Sequence, residues 1–231
     1  MKKIILVFVS VFSLSLSARG DKTADPCSEV SSWRLEVCRF AEANLKHSAW
    51  GFEHGKQDYL LAKDLAEADR HSVDDEVLFA AALLHDMGAF SPYEQEGVDH
   101  AVRSAQVVAS VLEPAGFPMD KLERVQKAIL AHNYYGNVVP ETNEALVLHD
   151  ADALNFLGAL GAARLLSVVG VEAFAPNVKS VVDYLRTFEQ TMETRLYGGV
   201  YSKAEGARRA QWLRQFLDTL GKESYAILGA D

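Results

Sequence analysis

Five of the seven histidines in this 231-residue chain stand where an imidazole could serve as a ligand or a proton carrier: His54, His85, His100, His132 and His149. His54 opens an amphipathic segment, His85 and Asp86 close the apolar run "AALLHDMG", and His132 closes a second apolar run. Asp150 and Asp152 interrupt the apolar stretch "ALVLHDADALNFLGALG". A carboxylate buried in such a run is costly unless a charge or hydrogen bonds compensate it. One divalent cation would compensate several carboxylates and imidazoles at once. The plainer alternatives are a histidine satisfied beside the core, and an Asp152 paired with Arg164, with Lys127 or with a helix N-terminus.

The elements that must position these groups all read as helices. Helical spacing covers residues 33–45, 54–68, 74–88, 99–116, 120–133, 143–170, 178–197 and 203–224. Ser72 with Asp75 forms a capping signature for the third segment, and Ser202 with Glu205 one for the last. Asp120 and Glu123 open the fifth. No stretch alternates with a period of two, so the fold class is all-α, a single-domain helical bundle. Breaks at 89–98, 114–118 and 134–141 read as loops within one domain.

The first twenty residues, "MKKIILVFVSVFSLSLSARG", have the pattern of an export signal: Lys2 and Lys3, an apolar run from Ile4 to Leu14, then small residues. That run is shorter than the roughly 20 residues a membrane span needs. The expected division is a signal peptide over 1–20, a lead-in with the first helix over 21–39, and the helical domain over 40–231. The expected location is exported, in the bacterial periplasm, with no stable membrane span after cleavage. Loss of Lys2, Lys3 and Arg19 takes the formal charge from −9 to −12. So acidic a chain lacks the clustered Lys and Arg that grip a nucleic-acid backbone, and none is expected as a partner.

Export would place Cys27 and Cys38 where a disulfide is favoured. Eleven residues of helix span about 16 Å, whereas a disulfide needs Cα atoms within about 7 Å. The bridge can form only if Cys27 lies in a non-helical lead-in folded back over the first helix.

The order His54, His85-Asp86, Asp152 resembles the H…HD…D arrangement of the HD-domain superfamily of metal-dependent phosphohydrolases. "AALLHDMGAF" is similar to that family's apolar helix ending in HD and a glycine turn, and "DHAVRSAQVVASVLEPAGFP" to the helix that follows. "VLHDADALNFLGALGAAR" is similar to the D-A-D-x-L…G-x-x-G-x-x-R segment of a bacterial phosphohydrolase branch. The resemblance spans about residues 40–224 and implies a bundle of the HD-domain type. It implies His54, His85, Asp86 and Asp152 as metal ligands, with Asp150 a supporting group or helix cap. It places His100 and His132 where some branches hold a second metal or touch a substrate phosphate. Two departures stand out. The branch's H-x-x-R-V becomes His54 followed by Gly55, Lys56, Gln57 and Asp58, and the H-x-x-x-x-x-G-Y-P signature of cyclic dinucleotide phosphodiesterases is missing.

Two imidazoles with two carboxylates suit Mn²⁺, Fe²⁺, Co²⁺, Ni²⁺ or Zn²⁺, one ion or two. Such an ion acidifies bound water to a pKa of about 7 and polarises a phosphoryl oxygen. The implied activity is hydrolysis of a phosphate ester or anhydride in a small nucleotide or related metabolite. Asp86, His100 and His132 are the candidate catalytic groups, and Lys56, Arg103 and Arg164 the candidate phosphate partners. Two alternatives are an HD-fold di-iron oxygenase and a non-catalytic exported metal-binding protein.

Overall fold

The computed structural model describes residues 25–28, 32–225 and 227–228. The leader expected over residues 1–20 lies outside the described residues. Among the described residues there is no strand, and no helix is long and apolar enough to cross a membrane. The helices are α1 (Ser32–Asn44), α2 (Phe52–Asp69), α3 (Asp75–Leu84), α4 (His100–Val107), α5 (Ala109–Ala115), α6 (Leu122–Ala131), α7 (Asn143–Leu154), α8 (Gly158–Leu166), α9 (Val178–Thr191) and α10 (Val200–Glu223). Short 3₁₀ turns lie at Met87–Ala89, Met119–Lys121 and Met192–Arg195.

The bundle is built around α3. Its residues Val77 to Leu84 are all buried, as a helix apolar on every side demands, and it packs against α1, α2, α6 and α7. Each fully buried Leu or Phe here stabilises the fold by about 1.5–3 kcal/mol. Asp74 caps α3, accepting the Glu76 and Val77 N–H groups. Ser72 lies too early for that role, and its carbonyl instead accepts Asn143 Nδ2.

At the other end of the chain α10 begins at Val200, so Ser202 falls inside its first turn. The cap comes from Asp69, the last residue of α2, which accepts the N–H groups of Gly199, Tyr201 and Ser202 and the Ser202 hydroxyl. Glu205 pairs with Arg208 and Arg209 instead.

The long segment expected over 143–170 divides into α7 and α8. Arg164 donates to Asn155 O at 2.9 Å, and Arg209 to Leu154 O at 3.0 Å. Arg164 thus satisfies the Asn155 carbonyl at the end of α7, and Arg209 joins the Leu157 N–H on the Leu154 carbonyl. The segment over 99–116 is likewise interrupted at Val108, where the Ser110 hydroxyl takes the Val107 carbonyl.

Cys27 lies in a non-helical turn and bonds Cys38 on α1, with Cα atoms 6.0 Å apart. This is the folded-back lead-in that the spacing requires. Trp33, Val37, Cys38, Ala41 and Leu45 belong to the main core, so α1 and the remainder of the bundle share one interior.

Candidate metal centre

Five elements converge on one buried point. On α2, His54 and Asp58 share a face through their i,i+4 spacing. His85 and Asp86 follow the end of α3, His100 starts α4, His132 follows α6, and Asp152 lies on α7. His54 Nε2 is 3.3 Å from His85 Nε2, 3.2 Å from Asp152 Oδ1 and 3.7 Å from Asp86 Oδ2. His85 Nε2 lies 3.1 Å from that same Asp86 oxygen. The other oxygen, Oδ1, lies 3.3 Å from His100 Nε2 and 3.6 Å from His132 Nε2. The Asp86 carboxylate therefore stands between two pairs of imidazoles.

The rings are held from behind. His85 Nδ1 donates to Ala82 O at 2.8 Å and His132 Nδ1 to Ile129 O at 2.6 Å. These bonds assign the protons to Nδ1 and turn the Nε2 lone pairs toward the cluster. Two glycines allow the close approaches. A Cβ on Gly55 would lie 2.8 Å from Ala82 O, the carbonyl that orients His85, and one on Gly88 would lie 2.5 Å from His100 O.

Burial sets the electrostatics. It pulls His54 down to about 4, assisted by the Arg164 charge and opposed by the hydrogen bond to Asp152. Burial opposes charge on His85 too, but Asp86, Asp58 and Asp152 outweigh it and raise that imidazole to about 10. Burial, then Asp152, lifts the Asp58 carboxyl well above its ordinary range. Burial also works against Asp86, yet His85 and His132 hold it well below that range. Two buried atoms of the cluster, His54 Nδ1 and Asp58 Oδ2, have no hydrogen-bond partner. Potential ligand atoms of His54, Asp58, His85 and Asp152 lie within 4.8 Å of one another, as do those of His85, Asp86 and His132. This nitrogen- and oxygen-rich set fits a divalent cation, whose binding would displace the protons held there.

Of the expected ligands, His54, His85 and Asp152 thus fall in one group and His85 and Asp86 in a second with His132, which His100 adjoins. Asp150 points elsewhere. It accepts the Tyr197 and Gly198 N–H groups at 2.9 and 2.7 Å, anchoring the turn before α10.

None of the three expected phosphate partners lines the cavity that adjoins the cluster. Lys56 lies on the outer side of α2, paired with Glu53 and Asp25 over the Phe52 ring. Arg103 is turned to the Tyr93 carbonyl. Arg164 is buried, donating to Ala49 O and Asn155 O above the Phe156 ring. The cations that do line the adjoining cavity are Lys46 and Arg195. That cavity has a volume of about 920 Å³ and exposes Asp86, His100, His132 and Asp152 on its inner wall. Trp50, Tyr134, Phe156, Phe174 and Phe188 form much of the remainder, and the Tyr135 hydroxyl lies 3.3 Å from His100 Nδ1. Of the residues missed from sequence, only Asp58 carried a signal, its helical spacing from His54. Lys46, Tyr135 and Arg195 come together through loops whose paths no local pattern dictates.

Fold and site define an all-helical protein with a buried histidine–aspartate cluster compatible with a divalent metal ion. The chain belongs to the HD domain family, whose model matches residues 34–157. Solved structures share the bundle. *Bacillus subtilis* YpgQ in complex with ADP is 18% identical, with a TM-score of 0.61 over 82% of this chain and 97% of that one. A *Lactobacillus plantarum* protein is 21% identical, with a TM-score of 0.63 over 85% and 99%. An HD-superfamily hydrolase from *Bacillus thuringiensis* is 21% identical, with a TM-score of 0.59 over 84% and 95%. No curated protein matches the chain.

Proposed function

We propose that this HD-domain protein is a metal-dependent phosphohydrolase acting on small phosphorylated metabolites, nucleotides among them. The observation that carries the reading is Asp86, set between two imidazole pairs on the inner wall of a substrate-sized cavity. His54, His85, Asp86 and Asp152 would hold one divalent ion, and Asp86, His100 and His132 suit a second. When bound, such an ion supplies an acidified water and neutralises charge on a phosphoryl oxygen.

The chain's own groups do the rest. Asp86 orients the attacking water. His100, the more exposed of the second imidazole pair, donates a hydrogen bond to a phosphate oxygen, while His132 keeps its Nε2 lone pair for an ion, and Lys46 and Arg195 add positive charge at the wall. Trp50, Tyr134 and Phe156 offer flat apolar surface for a base or similar group and keep bulk water away from the reacting atoms. The ADP held by YpgQ supports the nucleotide branch of this reading. The charge pattern of residues 1–20 supports export to the periplasm, and the Cys27–Cys38 bond suits an oxidising compartment.

The test is metal analysis of purified protein followed by a phosphate-release screen over nucleotides and sugar phosphates. Metal-dependent release from at least one member is expected. A metal-loaded protein inert across the panel would count against the assignment. The His54, His85, Asp86, His100, His132 and Asp152 set also admits a second reading, O₂ chemistry at two irons. Oxygen consumption by the iron-loaded protein, with no phosphate release, would favour it.

A further inference from the structure

We infer that Asp58 is an additional ligand to the metal ion, beyond His54, His85, Asp86 and Asp152. The inference rests on the metal-binding reading above. Asp58 is fully buried, and it faces the cluster from α2 one turn beyond His54. One of its oxygens is fixed. Arg209 donates to Asn155 Oδ1, which turns the Asn155 amide nitrogen toward Asp58 Oδ1, and that nitrogen donates to it. The second oxygen, Oδ2, has no hydrogen-bond partner.

That free oxygen lies 3.1 Å from His54 Nε2 and 3.6 Å from His85 Nε2. Asp86 Oδ2, a ligand by position in the HD pair, stands at 3.7 and 3.1 Å from the same two nitrogens. With metal–ligand bonds of about 2.1 Å, neighbouring donors on one ion are separated by roughly 3.0–3.4 Å. Asp58 Oδ2 meets this spacing as well as Asp86 Oδ2 does. A buried carboxylate oxygen without a donor is costly, and a shared cation removes the cost for Asp58, Asp86 and Asp152 together. Three carboxylates make the donor set oxygen-rich, which favours Mn²⁺ or Fe²⁺ over softer ions.

The experiment is Co²⁺ titration of the full protein and of Asp58→Asn, read by visible absorption and by calorimetry. Asparagine keeps the volume of the side chain and can still accept from Asn155. The expected result is at least a tenfold loss of Co²⁺ affinity with a changed band intensity, at unchanged helicity. Unchanged affinity and bands would overturn the inference while leaving the metal site intact. If the parent protein itself took no Co²⁺, both readings would fall together. Asp58→Cys gives an independent readout, since a thiolate at that position should add a sulfur-to-cobalt charge-transfer band. A folded Cys variant that binds Co²⁺ without that band would also overturn the inference.

Discussion

Asp86 Oδ1 lies 3.3 Å from His100 Nε2, across the short gap between the turn after α3 and the start of α4. His85, the residue before it, meets the other oxygen of the same carboxylate at 3.1 Å. One side chain thereby joins the two halves of the cluster, and its removal should disable both. Asp86→Ala is expected to lose its bound metal and to lower phosphate release by more than the 10–100-fold typical of supporting residues. Its far-ultraviolet circular dichroism should stay close to that of the parent, because Asp86 lies outside the helices. Elemental analysis alongside turnover checks both halves, and full metal content with full activity would refute the site.

Gly55 fixes the distance between α2 and the end of α3. In Gly55→Ala the new methyl meets Ala82 O, which is backbone and cannot turn aside. The helices must separate, at about 1–3 kcal/mol of overpacking, and His54 moves away from His85. Calorimetric titration should show metal affinity reduced about 10–100-fold, the range for groups that orient ligands. A variant as tight as the parent would show that the approach of α2 to α3 does not set the site.

Lys46 and Arg195 line the cavity, whereas Lys56 and Arg103 are engaged outside it. Lys46→Met and Arg195→Met should therefore raise KM for a phosphorylated substrate several-fold, while Lys56→Met and Arg103→Met leave it unchanged. Steady-state kinetics on the four variants decides the matter. An effect confined to Lys56 or Arg103 would mean that the substrate enters from another side.

Asp69 joins the end of α2 to the start of α10. Burial works against its charged form, but the Ser202 hydroxyl and the N–H groups of Ser202, Tyr201 and Gly199 outweigh it and hold the carboxyl below its ordinary value. A depressed carboxylate contributes stability above its unfolded pKa of about 3.9, and that contribution is lost as pH falls through the lower folded value. Asp69→Ala should cost about 1–2 kcal/mol at neutral pH, as removal of a helix cap does. Denaturant melts from pH 6 down to pH 2 should show parent and variant converging at the acid end. A constant gap at every pH would indicate packing rather than charge.

The helices and most of the metal cluster were legible in the residues themselves. The all-apolar "LFAAALL", once helical, must be surrounded by protein, and His85-Asp86 then emerge at its end. Asp150 and Asp152 show how far local pattern reaches. Residues two positions apart on a helix differ by about 200° around its axis, so only one of these two can face the cluster. The D-A-D context pointed to Asp152, and the structure places Asp150 on the turn at Tyr197 and Gly198.

The caps, the break and the cavity were decided elsewhere. Asp69 could replace Ser202 as a cap only because α2 ends beside α10, and Arg164 became an internal support only because α8 folds back on the end of α7. Asp58 belongs to the same class: its spacing put it on the face of His54, but its free oxygen exists because Asn155, held by Arg209, occupies the other. Periodicity and residue type determine which face of a helix is apolar and which side chains can bind an ion. Which carbonyl a cation satisfies, and which cations reach the substrate, depend on contacts between segments far apart in the chain, and those exist only once the helices have packed.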